Sequence, residues 1–221
     1  MTVRKVYPDE IATEIGQPDF SHLIQLMIYD QEHPDSNSDI THISLTALPT
    51  FYGKISIYPS AVATFYAPSD ICGAGGMRSE RIRAVTSWRN GASRFDTVFV
   101  STDPTAEGMR GLDVARVRLF FSFSYEGVLY PCALVHWYSR KGDSPDDTTG
   151  MWIVEPETSD DDGETFATII HLDTILRAAH LLPVFGSERV SRALSFTDTL
   201  DKFSSFYVNK YVDHHAFEIA F

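Results

Sequence analysis

Alternating and continuous runs of apolar residues dominate the middle of this chain and predict β-strands. Residues 115–125 and 128–138 are apolar, aromatic-rich runs joined by Glu126-Gly127, and a short Gly-containing turn between such runs indicates a tight antiparallel hairpin. Shorter runs rich in β-branched and aromatic residues predict further strands at 54–58, 61–66, 95–100, 150–156 and 166–171. Residues 173–181 fit either the start of a helix or a strand that wraps a corner.

Helical spacing of apolar residues is confined to the two ends of the chain. Residues 20–30 have this spacing, with Asp19 or Ser21 as the N-cap and a stop signal at His33-Pro34. Residues 199–211 also place their apolar side chains on one helical face. The predicted fold is therefore α+β and mainly β, a small barrel or rolled antiparallel sheet with N- and C-terminal helices. Residues 1–50 would form a helical extension and residues 51–221 a β-rich domain, unless both form one domain.

Composition narrows the class of protein further. A chain of 221 residues with 43% hydrophobic residues suits one large folded domain. Its two cysteines, Cys72 and Cys132, are too few for a disulfide framework or a zinc site, and Cys132 lies in an apolar run that predicts a core thiol. The start has no apolar signal region and no apolar run approaches spanning length, so we expect no membrane contact and a nuclear or cytoplasmic location.

Charge is distributed unevenly along the chain. The net charge of -12 argues against nucleic-acid binding by the whole surface. However, eight of the thirteen arginines lie between Arg78 and Arg118, whereas nine acids and no base lie between Asp143 and Glu164. This pattern predicts a basic band that faces an acidic loop.

The basic band, residues 77–94, combines five arginines with one tryptophan and one acid. Arginine binds phosphate with a planar, bidentate guanidinium group, and an aromatic ring can stack on a base. The candidate nucleic-acid-binding residues are Arg78, Arg81, Arg83, Trp88, Arg89 and Arg94. The alternative is a solvated loop whose arginines pair with the acidic segment 143–164.

Other clusters give weaker signals for chemistry. His214, His215 and Glu218 are weak metal candidates, because adjacent histidines rarely point the same way; the alternative is a C-terminal packing element. A cryptic enzyme would have to use His136, Cys132 or this His-His end, and no Gly-x-Ser-x-Gly elbow supplies a serine nucleophile. Residues 73–76 resemble a phosphate loop less than a turn that needs positive φ. We therefore assign no catalytic residue and no cofactor.

Longer motifs resemble a known family. They lie at residues 67–70, 75–78, 103–111, 130–137, 149–156 and 206–221. Together they resemble the C-terminal region of Plavaka-type DNA transposases of mushroom-forming fungi, over about residues 20–221. The resemblance implies that the metal-binding catalytic acids lie upstream, and that this chain is similar to a truncated or domesticated fragment or an expressed C-terminal domain of a transposable element.

A looser similarity concerns the fold alone. The hairpin, the strand with Trp152 and residues 173–181 look like a bromo-adjacent-homology (BAH) or SH3-like barrel, and such barrels mostly bind protein or nucleic acid. The expected function is a non-catalytic accessory module that contacts nucleic acid through the basic band. The alternative is a chromatin-reader-like barrel that binds a nuclear protein through Trp137, Tyr138 and Trp152, if these converge into an aromatic cage.

Overall fold

The computed structural model describes residues 3–34, 45–69, 74–159, 165–187 and 189–221. The α-helices are α1 (Pro8–Ile15), α2 (Phe20–Glu32), α3 (Thr199–Lys202) and α4 (His214–Ile219). The strands are β1 (Arg4–Val6), β2 (Ile55–Tyr58), β3 (Ser60–Tyr66), β4 (Met77–Val85), β5 (Arg94–Phe95), β6 (Thr97–Ser101), β7 (Leu112–Tyr125), β8 (Val128–Arg140), β9 (Ile153–Pro156), β10 (Ala167–His171), β11 (Ile175–Ala179), β12 (Leu181–Pro183) and β13 (Phe206–Val208). The predicted class, α+β and mainly β, is confirmed.

The predicted long hairpin, β7–β8, is the centre of the fold. Its turn residues Glu126 and Gly127 both have positive φ, 49° and 82°, as a tight turn that matches the strand twist requires. Cross-strand pairs run from Tyr125 opposite Val128 to Val114 opposite Tyr138, with one bulge between Val117 and Leu119. A hairpin of this length offers two free edges on which the other strands assemble.

The remaining strands curl the sheet into a barrel-like arrangement. β2 and β6 pair with opposite halves of β7, whereas β10 pairs with the middle of β8 and β9 with its C-terminal end. β13 joins β9, β12 joins β13, and β11 pairs with β6. Only His180 separates β11 from β12, so the chain itself links the two ends of this path and the sheet forms a curled half-barrel. The rolled sheet predicted from the sequence is thus confirmed.

Helices cover this sheet at both ends of the chain. α1 and α2 pack on one sheet face, where Phe20, Ile24 and Ile28 are fully buried together with Phe121 and Leu134. The opposite face packs against a second antiparallel sheet, β3–β4–β5. No helix in the described parts of the chain combines the length and apolar character needed to cross a membrane.

The helix predicted over residues 199–211 is wrong. α3 ends at Lys202, and Phe206 to Val208 form β13 between β9 and β12. Phe206 and Val208 are both fully buried, which is the two-residue period of a strand. Pairing on both edges therefore overrides the local helical spacing. Residues 173–181, left open between helix and strand, begin in the 3₁₀ turn Leu172–Thr174 and continue as β11, and after His180 the strand β12 begins at Leu181.

Candidate nucleic-acid interface

The basic band folds as the strand β4 and the turn that connects it to β5. Along β4, Ile82 and Ala84 are buried in the core, whereas Arg81 is exposed and Arg83 half-buried. Successive side chains of a strand point to opposite faces. Burial of the two apolar residues therefore directs Arg81 and Arg83 outward.

The turn after β4 holds Arg89 at its tip. Gly91 donates a backbone hydrogen bond to the carbonyl of Trp88 at 2.9 Å, and Arg89 and Asn90 between them have φ of 52° and 61°. Two central residues with positive φ define the turn type that prefers Asn-Gly. A side chain such as that of Arg89 is disfavoured in this conformation by about 1–2 kcal/mol. Such strain is typical of functional positions.

Three arginines converge on Trp88. The guanidinium carbons of Arg83, Arg89 and Arg94 lie 4.3, 5.2 and 5.6 Å from the centre of its ring, within the range of cation–π attraction. We call Arg81, Arg83, Trp88, Arg89 and Arg94 the arginine–tryptophan cluster. Trp88 thus positions guanidinium groups, whereas the sequence suggested a platform for stacking a base.

The cluster carries more positive than negative charge. Arg94 donates to Asp96 at 2.7 Å, and Asp96 also accepts from the backbone N–H of Arg83 at 2.9 Å. Among the described residues, the guanidinium of Arg81 donates to the hydroxyl of Ser60 at 3.0 Å and to no carboxylate. Partial burial and then the charge of Arg94 lower the pKa of Arg83, while Asp96 opposes the shift. Among the described contacts of the cluster, Arg94 is therefore the one guanidinium group that is paired with a carboxylate.

Arg78 does not belong to this cluster. It lies on the same face of β4 as Ile82, and its guanidinium is 3.7 Å from the carboxylate of Asp213. The predicted pairing of the band with the acidic segment is not seen at the described residues 143–159. There Glu155 binds Lys141, and Asp146 accepts hydrogen bonds from Thr149. Residues 160–164 lie outside the described part of the chain.

Arg118 is a neighbouring cation that sequence reasoning missed. Its guanidinium carbon lies 4.2 Å from the ring centre of Phe95 on β5, and its Nε is buried without a hydrogen-bond partner in the described structure. Burial, followed by the charge of Arg116, lowers the pKa of Arg118, whereas Asp201 opposes the shift. A signal was available, because Arg116 and Arg118 interrupt an otherwise apolar strand.

The same pair of arginines faces a histidine. Burial, then the charges of Arg118 and Arg116, lower the pKa of His136 to about 4, against an opposing effect of Asp201. Arg116 itself binds Asp201 through two hydrogen bonds of 2.5 and 3.2 Å. His136 is therefore neutral at physiological pH. Nearby, burial raises the pKa of Cys132 to about 12, so this thiol is protonated and a poor nucleophile.

Of the C-terminal metal candidates, His215 belongs to a buried network of contacts around Arg177. His215 Nδ1 lies 3.1 Å from the guanidinium of Arg177, and its ring stacks on Phe65 at 4.7 Å. A cation thus already occupies the position facing His215, while His214 and Glu218 are exposed. Among the described residues, no group of three or more His, Cys, Asp or Glu side chains is arranged to hold a metal ion.

The aromatic residues of the alternative, protein-binding hypothesis do not form an open cage. Trp137 donates to the hydroxyl of Thr168 at 2.7 Å on one sheet face, whereas Tyr138, the next residue, is 4% exposed and packs in the core of the other face. Trp152 is 3% exposed and donates to the carbonyl of Phe221 at 3.2 Å. All three border a cleft of about 800 Å³, but Tyr138 and Trp152 present little surface to it.

Comparison with known proteins adds no family to these observations. No protein-family model matches the chain, and no curated protein or solved structure matches it significantly. The similarity to Plavaka-type transposases and to BAH or SH3-like barrels stays a prediction.

Proposed function

We propose that this chain is a non-catalytic nucleic-acid-binding module, the accessory part of a DNA transposase, and that it binds phosphate through the arginine–tryptophan cluster. One observation carries the proposal: four guanidinium groups lie around a single outer surface, and among the described contacts only that of Arg94 is hydrogen-bonded to a carboxylate, that of Asp96. An anion is the missing partner, and phosphate is the anion that a set of arginines binds best in bidentate fashion.

The geometry supports backbone binding more than base recognition. Trp88 and the strained turn hold the guanidinium groups in place before a ligand arrives, which reduces the side-chain entropy lost on binding. Phosphate contacts orient a protein on nucleic acid but carry no sequence information. The cluster alone therefore favours binding with steep salt dependence and weak sequence preference.

The test is a salt titration of binding to mixed-sequence duplex DNA. If the four arginines each neutralise one phosphate, they contribute a slope of about -3.6 to the dependence of log affinity on log salt. Replacing Arg81, Arg83, Arg89 and Arg94 by Ala removes most of this slope and most of the affinity. The matched control replaces the four arginines Arg4, Arg110, Arg189 and Arg192 by Ala, which changes the net charge equally outside the cluster.

Two results would contradict the proposal. The first is the absence of salt-dependent binding at low ionic strength by the folded wild-type chain. The second is an equal loss of affinity in the cluster variant and in the control, because binding would then follow net charge and not the cluster.

A further inference from the structure

The strands β3 and β4 form a two-stranded ribbon with an exposed outer face. Directly opposed residues share a face, and the register pairs Tyr66 with Met77, Thr64 with Ser79, Val62 with Arg81 and Ser60 with Arg83. Tyr66, Val62 and Met77 are 63%, 53% and 45% exposed. We call these eight residues the outer ribbon face, and its arginine end merges with the arginine–tryptophan cluster.

The opposite, inner face of the ribbon packs against the hydrophobic core. Phe65, Ile82 and Ala84 are buried there, so the fold does not require apolar side chains on the outer face. Exposed apolar side chains that line up beside charged ones mark an interaction surface. The hydroxyls of Thr64 and Ser79, 3.0 Å apart and hydrogen-bonded to each other, lie between the apolar end and the arginine end.

The size of the ribbon fits one kind of nucleic acid. β4 has nine residues, about 30 Å at roughly 3.3 Å per residue, and paired strands lie about 4.8 Å apart. The major groove of B-form DNA is about 12 Å wide and admits a two-stranded β-ribbon. The major groove of A-form RNA is too deep and narrow for this, and a single strand has no groove.

We infer, on the basis of the proposed function, that the outer ribbon face docks in the major groove of B-form duplex DNA. The arginine–tryptophan cluster then lies over the phosphates that border the groove. Thr64 and Ser79 face base edges, to which a hydroxyl can donate or accept. Val62 and Met77 supply apolar contact for thymine methyl groups. The ligand class is thus double-stranded DNA, in preference to single strands or double-stranded RNA.

The experiment measures binding of the full chain to three probes at one salt concentration: a 20-base-pair DNA duplex, the RNA duplex of the same sequence and the single DNA strand. We expect the DNA duplex to bind at least tenfold more tightly than the other two. The ribbon variant, with Val62, Tyr66 and Met77 each changed to Thr, loses this preference but keeps the salt slope. Its matched control changes Tyr52, Val128 and Leu129 to Thr, three residues that are equally or more exposed elsewhere, and keeps the preference.

Protection of guanine N7 from methylation gives a second readout, since this atom lies in the major groove. Wild type protects it, and a Thr64→Val, Ser79→Ala variant protects it less. Equal affinity for all three probes, or full protection by the ribbon variant, would overturn the inference. If arginine-dependent binding persists in that case, the proposed function stands; loss of arginine-dependent binding to every probe removes both.

Discussion

The same type of side chain, arginine, has two different electrostatic surroundings in this protein. Arg177 is paired with acids, whereas most arginines around Trp88 are not. Arg177 is 1% exposed and binds Asp213 through two hydrogen bonds of 2.9 and 2.7 Å, with Glu80 at 3.4 Å. Glu80 also accepts from the backbone N–H of Ala178. Arg78 lies 3.7 Å from Asp213 and is the second cation of this network. In the described part of the chain, the network thus sets two arginines against two acids.

In the described part of the chain, the arginine–tryptophan cluster has four cations and one acid in contact with them, Asp96. The pKa values express the same contrast. Burial tends to lower the pKa of Arg177, but the hydrogen bond to Asp213 and the charge of Glu80 raise it overall. By contrast, burial and the charge of Arg94 lower the pKa of Arg83. A neutralised arginine fixes the structure, whereas an arginine without its own anion is available to a ligand.

The largest effect is expected for Arg177→Met. Removing Arg177 takes away the hydrogen-bond donor shared by Asp213 and Glu80, and among the described residues leaves them Arg78, 3.7 Å from Asp213. We expect this to destabilise the fold by about 3–5 kcal/mol. Urea denaturation measures this loss. The control, Arg4→Met, breaks an exposed pair with Glu14 at 2.8 Å and changes the unfolding free energy by less than about 1 kcal/mol. A loss below 1 kcal/mol for Arg177→Met would show that the network contributes little.

The sequence predicted the local part of this fold and missed the long-range part. The β7–β8 hairpin and α2 follow from period and turn chemistry, which are properties of adjacent residues. β13 does not, because Phe206 and Val208 become a strand only by pairing with β9 and β12. Likewise Arg177 and Asp213 are 36 residues apart, and no local pattern joins them.

For the candidate site too, local sequence features could be predicted and long-range contacts could not. Charge and aromatic content were sufficient to find the basic band. Separating Arg78 from Arg81 and Arg83 required the strand β4, since the alternation with Ile82 decides which arginine faces the core. The role of Trp88 could not be predicted, because the turn geometry that folds Arg89 and Arg94 back over its ring involves residues on both sides of the turn.

A second prediction concerns a region whose charge balance lies between that of the Arg177 network and that of the arginine–tryptophan cluster. There Arg116 and Arg118 lie near one acid, Asp201, and near His136. Because the pKa of His136 falls from 6.5 to about 4 on folding, the unfolded chain binds a proton more readily between these values. Stability is therefore full above pH 6.5 and decreases as the pH falls toward 4, by about 2 kcal/mol after allowance for partial exposure. Urea denaturation at pH 4.5 and pH 7 measures the difference.

His136→Gln should flatten this pH dependence. A smaller decrease remains, since burial and the charge of Arg177 lower the pKa of His215 as well. The matched control is the same substitution at an exposed position, His214→Gln. If His136→Gln keeps the wild-type pH dependence, neither burial nor the charges of Arg118 and Arg116 lower the pKa of His136 enough to affect stability, which would contradict the prediction.

The smallest change in the unfolding free energy is expected for Arg89→Asn, which also best separates a ligand-binding arginine from a structural one. Asparagine suits the positive φ at this turn position better than arginine does, so the variant is more stable by about 0.5–1 kcal/mol. It also loses one phosphate contact, so the magnitude of the salt slope of DNA binding decreases by about 0.9.

The control, Asn90→Gly, relieves the backbone strain at the neighbouring residue without removing a charge and leaves the salt slope unchanged. Stability and binding thus change in opposite directions at Arg89 alone. A structural arginine would behave in the reverse manner: its replacement would lower the unfolding free energy and leave the affinity for DNA as it was.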